Sequence, residues 1–461
     1  MSPLAHWLAD GARRHPAAPA LLGPHGNWRY GELASLADAG GRFLRRQAVQ
    51  PGDIVAIAGS ASELALAALA CAAASAALLP LDPLTADAAW PALQTLAGGR
   101  LQRFAPLRWP GDFSAGAAPP APAGNAGEVA LLIATSGSEG APKVVQLTRG
   151  NLAAAAAASN QRLPLAAGDV WLACLPLHHI GGISILYRCL RAGASMRLHE
   201  GFAAAAVWDD LHRLRVSHLS LVPAMLARLL DVADGAHPPP SLRHALIGGA
   251  ALSRPLCERA LASGWPIRPS WGMSETAAQA ATLVQPGSDW QVGQVGTLLP
   301  GLQARVAADG RLCLRGEQVM DGYLNPEGQR GHGLDDGWLR TGDLGLLDER
   351  GQVTIIGRAD DLLISGGVTL HPLEVESCLA ACPGVSDVAV TAAPDPVWGD
   401  VLVALVVGQA EIRTLHDWCR RHLVAAKRPR RVLRVEALPR NAIGKLARQT
   451  LRELLQQRGG A

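Results

Sequence analysis

Apolar positions along the chain follow two rhythms, and the switches between them predict its elements. Residues 28–48 carry apolar side chains at helical spacing, Pro51, Gly52 and Asp53 make a turn, and residues 54–58 read as a short apolar strand. Residues 64–79 are Ala-dominated and follow Glu63. They stop at Pro80, short of the ~20 residues a membrane span needs, and read as a buried helix running into a strand. Helix, turn and strand keep alternating, which predicts α/β layers around a largely parallel sheet. Residues 105–127, rich in Ala, Pro and Gly, read as a connector.

Beyond it the strands end in loops able to hold a ligand. The apolar run 129–134 stops at TSGSEGAPK, residues 135–143. Its glycines let backbone N–H groups approach a polyanion, while its hydroxyls and Lys143 add donors and charge. Pro142 and Val144 stand where a Walker A loop needs Gly and Ser or Thr, so a different nucleotide fold is wanted. A solvent-exposed turn has the same composition. A helix is predicted over 151–160 and a strand over 171–175, the latter leading to PLHHIGG, where His178 and His179 precede Gly181 and Gly182 in a ligand-facing loop. Strands at 218–222, 245–247 and 267–270 lead in turn to Pro223, to Gly248-Gly249-Ala250 and to WGMSETAAQ at 271–279. In an open parallel sheet ligands bind at such carboxyl ends. Glu275 there is either a magnesium ligand beside phosphates or a solvated acid at a helix start, and Trp271 either a face for a flat base or a buried core residue.

From residue 303 the pattern changes to short strands at 311–315, 344–347 and 353–356 with a turn at 348–351, an antiparallel subdomain. Asp343, in GWLRTGD, reads as a carboxylate on a tight turn, available to ribose hydroxyls or simply a turn former. Residues 357–372 look like a junction, with Arg358, Asp360 and Asp361 crowding charge ahead of Ser365-Gly366-Gly367. Helices over 373–381 and 412–423 and strands over 386–392 and 402–407 suit a separate small α+β domain. The expected division is 1–356, a hinge at 357–361, and 362–461.

Composition narrows the function classes. Apolar residues make up 49% and charged residues 18%, enough for a core and against long disorder. A net charge of +3, from 42 basic and 39 acidic side chains, gives no reason to expect nucleic acid. Eight scattered cysteines lack CxxC or zinc spacing and read as buried thiols in a reducing, cytoplasmic compartment. Residues 1–16 carry too many charges for a signal peptide. Only Lys143, Lys427 and Lys445 among the basic residues are lysine, so each is a candidate for a role that needs a compact ammonium.

Taken in order, TSGSEGAPK, PLHHIGG, GGA, WGMSE, TGD, GRADD with its SGG, and PRNAIGK resemble the adenylate-forming superfamily of acyl-CoA synthetases, luciferases and peptide-synthetase adenylation domains. Lys427, in AAKRPR, resembles the short Lys-x-Pro segment of that family. The resemblance covers nearly the whole chain. It implies an α/β protein with a large N-terminal domain of layered α/β subdomains plus a β-rich subdomain, and a small mobile α+β C-terminal domain.

The site residues it implies are carried over position by position. Thr135, Ser136, Gly137, Ser138, Gly140 and Lys143 would grip the ATP phosphates. Gly249, Ala250 and Trp271 would border the adenine beside Gly272 and Ser274, and Glu275 would hold magnesium. Asp343 and Arg358 would take the ribose hydroxyls, Asp360 the hinge, Gly366 and Gly367 the thiol tunnel for coenzyme A, and His179 the edge of the acyl pocket. Lys445 would touch the α-phosphate and the carboxylate of the acid. One such donor is worth roughly 2.7–4 kcal/mol on the charge that develops as carboxylate attacks phosphorus. It must then withdraw for the thiol to enter, which a mobile small domain allows.

Within the superfamily, the short length and the run 172–194 most resemble the o-succinylbenzoate CoA ligases of menaquinone synthesis. The implied partners are a small carboxylic acid, ATP and CoA, with no nucleic acid and no membrane insertion, and a homo-oligomer is left open. Another aryl or acyl CoA ligase is the alternative. PLHHIGG lacks the Asp that amino-acid-activating domains place there, and Lys143, Glu275 and Lys445 together argue against a non-catalytic nucleotide binder. Two positions depart from the family pattern: Glu139 replaces a hydroxyl residue in the phosphate loop, and Trp271 replaces tyrosine.

Overall fold

The predicted alternation of helix and strand is divided between two sheets. The computed structural model describes residues 2–105, 125–135, 143–365, 368–395, 399–440 and 446–455 less 449, 452 and 454. In the larger, thirteen-stranded sheet the parallel centre runs, in spatial order, Ser195–Leu198, Val170–Ala173, His218–Leu221, His244–Ile247 and Ile267–Trp271. These strands are short, largely buried apolar runs, as a parallel sheet covered by helices requires. The sheet continues through Ala281–Thr282 and Gln294–Leu298 into antiparallel Gln352–Arg358, Leu339–Leu347, Arg311–Gly316 and Leu302–Val306. The expected antiparallel subdomain is therefore an extension of the parallel sheet.

Asp343 lies inside Leu339–Leu347, paired with Arg358, and not on the expected turn. Residues 339–343 alternate buried and outward positions, a strand rhythm that polar residues around Gly342 hide in the sequence. The expected helix at residue 28 begins instead at Tyr30, because Trp28 is held in the hairpin strand Gly26–Arg29 opposite Leu21. Glu32 then accepts the Arg29 N–H at 2.8 Å and fixes the helix start.

The second sheet has six strands, in the order Gly322–Tyr323, Lys143–Thr148, Val129–Thr135, Ala77–Leu81, Ile54–Ala58 and Leu101–Phe104. Helix Ala61–Ala74 packs in the core with almost every side chain buried, which is why its sequence is apolar on all sides. Ser60 and Glu63 cap it reciprocally. Glu200, which follows strand Ser195–Leu198 of the larger sheet, accepts the N–H groups of Ala61 at 2.6 Å and Ser62 at 3.1 Å. Among the described residues no helix is long and apolar enough to cross a membrane.

Helix Arg149–Arg162 ties the smaller sheet to the larger one. Asn151 donates to the carbonyls of Glu317 and Val319, both at 2.7 Å, and the Arg162 guanidinium donates to those of Thr282 at 2.6 Å and Leu298 at 2.9 Å. Farther on, strands Val385–Asp395, Gly399–Gly408 and Arg431–Arg434 and helices Pro372–Ala380 and Ile412–His422 close a core of their own around Val375, Leu379, Val390, Leu402 and Leu415. All eight cysteines are free thiols, seven buried and one half-buried.

The parallel strands carry an imidazole pair, His218 buried and His244 half-buried. His218 stacks on Trp171 with ring centroids 4.8 Å apart, and the His244 ring lies 4.9 Å from it on the next strand. Burial first, and then the charge of its neighbours, pulls His218 down to about 3, and burial together with Arg268 and Arg243 pulls His244 down to about 4. The folded chain thus binds fewer protons here than the unfolded chain, whose histidines titrate near ~6.5. Stability is therefore full above ~pH 6.5 and declines as the pH falls below it. Urea midpoints taken at about pH 7.5 and about pH 5 should show the decline, and His218→Asn should flatten it.

Candidate active site

Three of the sequence phrases meet at one edge of the larger sheet. Trp271 closes strand Ile267–Trp271, and its ring is buried in the core with the indole Nε1–H donating to Asp343 Oδ2 at 2.8 Å. Asp343 is buried, and Arg358 lies across Gly342 from the paired strand with Nη1 3.5 Å from Asp343 Oδ1. Arg358 Nη2 is 3.6 Å from Asp360, to which Arg311 is also near at 3.8 Å. Gly248, Gly249 and Ala250 follow the neighbouring strand His244–Ile247, and Gly249 turns the chain with φ near 79°.

The chain after Trp271 folds back tightly. A Cβ on Gly272 would sit 1.7 Å from the Ala278 carbonyl, so only glycine allows the approach. Ser274 opens the short 3-10 turn Ser274–Thr276 that carries Glu275, and Ala277 and Ala278 follow with φ of 51° and 103°. Left-handed alanines are strained, and here they hold a carboxylate in place.

A second group faces Glu275. Strands Val129–Thr135 and Lys143–Thr148 form a hairpin in which the Thr135 hydroxyl donates to the Lys143 carbonyl at 3.1 Å. Ser136, Gly137, Ser138, Glu139 and Gly140 lie outside the described residues, as do Gly366, Gly367 and Lys445. Lys143 is exposed, with its Nζ 5.7 Å from the centre of the Tyr323 ring, and the Tyr323 hydroxyl donates to Glu275 Oε1 at 2.7 Å. Burial and the Glu275 charge push the Tyr323 hydroxyl well above the ordinary range, so it stays a donor.

Among the described residues no three His, Cys, Asp or Glu side chains gather to hold a metal by themselves. A lone carboxylate beside a phosphate loop still fits magnesium, which is commonly bound by one or two carboxylates plus substrate phosphates.

His179 caps helix Ile180–Ala192, half-buried, its ring 4.5 Å from that of His178. Burial lowers the pKa of His178 against the pull of Asp82, 4.0 Å away at the end of strand Ala77–Leu81. Lys427, singled out by its rarity and by the Lys-x-Pro resemblance, is engaged elsewhere: its Nζ donates to both oxygens of Glu374 at 2.7 Å.

Two residues escaped the sequence reading. Arg188, in the middle of the apolar run on helix Ile180–Ala192, is buried over the Trp171 ring at 5.1 Å, and no carboxylate among the described residues pairs with it. Burial lowers its pKa to about 10. It lines a narrow cavity with Leu152, Ala155, Ser184 and Ala277, and the buried Ser184 hydroxyl has no hydrogen-bond partner among the described residues. The other is Tyr323. A lone cation within ISILYRCL and a residue type used only three times in the chain were the available signals.

This chain belongs to the AMP-binding enzyme family. The family model matches residues 8–92 and 87–324, and the model of the AMP-binding enzyme C-terminal domain matches 374–445. The chain is 36% identical over 335 residues to the 2-succinylbenzoate–CoA ligase of Bacillus subtilis (strain 168), covering 70% of this chain and 68% of that protein. Among solved structures, the o-succinylbenzoate CoA synthetase of Bacillus subtilis in complex with the acyl-adenylate intermediate OSB-AMP superposes with a TM-score of 0.85 at 31% identity, covering 96% of this chain and 97% of that one. The same enzyme in complex with ATP and magnesium ion gives 0.84 at 30% identity, over 96% and 98% of the two chains.

The turn after Trp271 yields a stability test. Gly272→Ala should cost about 1–3 kcal/mol through overpacking, read from urea unfolding. Gly181→Ala, whose Cβ would meet only Leu175 Cδ1 at 3.5 Å, should not lower the midpoint.

Proposed function

We propose that this protein is an ATP-dependent acid–CoA ligase whose acid is o-succinylbenzoate. A carboxylate oxygen attacks the α-phosphorus of ATP, the bond to the β-phosphate breaks, and pyrophosphate leaves. The CoA thiolate then attacks the acyl carbon and AMP leaves as the thioester forms. The likeness to 2-succinylbenzoate–CoA ligases supports the reaction, and buried Arg188 carries the choice of acid. An unpaired guanidinium in an apolar site is costly unless an anion joins it. o-Succinylbenzoate has two carboxylates, one to be activated and one left for that cation. The cavity beside Arg188 has room for about one water.

The remaining roles follow the same reading. Thr135, Ser136, Gly137, Ser138, Gly140 and Lys143 hold the phosphates, and Asp343 with Arg358 takes the ribose. Gly249, Ala250, Trp271, Gly272 and Ser274 shape the base site, with Trp271 acting through its hold on Asp343. Glu275 would hold magnesium together with the phosphates, and the metal would offset their charge as the acid approaches. His179 edges the acid site, Lys445 stabilises charge at the α-phosphate, and Gly366 and Gly367 admit the thiol. Residues 357–361 form the hinge on which 362–461 turns. The half-exposed pairs Arg358–Asp360 and Arg311–Asp360, at 3.6 and 3.8 Å, suit a joint that must open, because surface ion pairs bind weakly. Eight free thiols suit a cytoplasmic setting.

Pyrophosphate release with ATP, CoA and a panel of carboxylic acids tests the assignment. o-Succinylbenzoate should give the highest kcat/KM, and benzoate and other monocarboxylates should be poor. Arg188→Met should lower kcat/KM for o-succinylbenzoate by about 10²–10³-fold while leaving the monocarboxylates as they were. Equal use of monocarboxylates by the parent would sink the choice of acid. Lys445→Ala should slow acyl-adenylate formation by about 10²–10³-fold with ATP binding largely kept, and adenylate formed at the parent rate would remove Lys445 from the reaction.

A further inference from the structure

We propose that Tyr323 is a positioning residue that presets the gap between Glu275 and Lys143 into which a metal–triphosphate fits; this rests on the nucleotide reading above. The hydroxyl takes one oxygen of the Glu275 carboxylate at 2.7 Å, and the other oxygen makes no hydrogen bond to any described residue. One lone-pair face is thereby aimed and left available. A donor to a charged carboxylate gives a short, strong bond, and outer partners of this kind fix how a carboxylate meets a metal.

Tyr323 is itself held on every side. It pairs with Val145 at the edge of the smaller sheet, its N–H donates to the His332 carbonyl at 2.8 Å, and Gly333 lies so close beneath the ring that a Cβ there would come within 2.4 Å of it. The same stretch grips Glu275 a second time, through the Met320 N–H on the Glu275 carbonyl at 2.8 Å. The ring face turned to Lys143 sets the opposite wall, with the ammonium at cation–π range. Tyr323 stands on the strand beside Lys143–Thr148, so one side chain sets the phosphate cation and the metal carboxylate relative to one another.

Tyr323→Phe keeps the ring, its packing and its face for Lys143, and removes only the hydroxyl. Titration calorimetry on the full chain would compare ATP with Mn²⁺ or Mg²⁺ against ATP in EDTA. The parent should bind metal–ATP more tightly than ATP alone, and Tyr323→Phe should lose about 10–100-fold of that gain with metal-free ATP affinity unchanged. Half-saturating Mg²⁺ for pyrophosphate release should rise by the same factor, with KM for acid and for CoA unmoved. In the Glu275→Gln background the Tyr323→Phe change should have no further effect on metal–ATP binding. If the parent gains and the variant gains equally, the Tyr323 role is wrong and the nucleotide reading stands. A parent that gains nothing from metal overturns both.

Discussion

A hydrogen bond from an indole to a carboxylate, both buried, joins the two halves of the larger sheet, and the candidate site is assembled around it. Trp271 ends the last parallel strand and Asp343 sits inside an antiparallel one, so the 2.8 Å bond between them spans the change of sheet type. A buried carboxylate needs partners, and Trp271 and Arg358 supply them while the Thr341 hydroxyl accepts the Asp343 N–H. Glycine at 342 lets the Arg358 guanidinium lie directly over the backbone there. The outcome is an aspartate that faces the strand ends and is held from below by a ring. Tryptophan at 271 thus spends its polar edge on the protein, and tyrosine would offer no N–H for the purpose.

The cations divide by surroundings. Lys427 is closed off by Glu374, Arg448 by Asp361 and Glu376, and Arg197 by Asp210. Arg188 has only a ring face and a cavity beside it. Arg162 and Arg268 are met by carbonyls instead, whereas no described residue hydrogen-bonds the Arg188 guanidinium, so the proposed acid would lend it an anion. Rarity marked Lys143, Lys427 and Lys445 in the sequence, but partners, not rarity, separate the paired lysine from the exposed one.

Much of the fold was legible because burial writes itself into short apolar runs. Residues 54–58, 129–134, 245–247 and 267–270 each lie on a strand, 218–222 does so up to Leu221, and the Ala-rich stretch after Glu63 is the buried helix its composition predicts. What escaped detection depended on distant pairing. Trp28 has helical spacing to its neighbours but is held by Leu21 in a hairpin, and Asp343 reads as a turn until Arg358 is laid beside it. The same limit governs the site. The glycine-rich phrases announce themselves locally, whereas Tyr323 matters through Glu275, 48 positions earlier in sequence, and Arg188 through having no carboxylate partner among the described residues.

Ala277 belongs to two compartments at once. It lines the cavity beside Arg188, and it is the first of two left-handed alanines that hold the Glu275 turn. Its backbone has no slack, since Gly272 already presses against Ala278. Under the proposed roles, widening the cavity from this wall would shift Glu275 with it. Leu152 and Ala155 on one helix and Ser184 on another line the same cavity from elements separate from the Glu275 turn, so changes there would leave that turn in place.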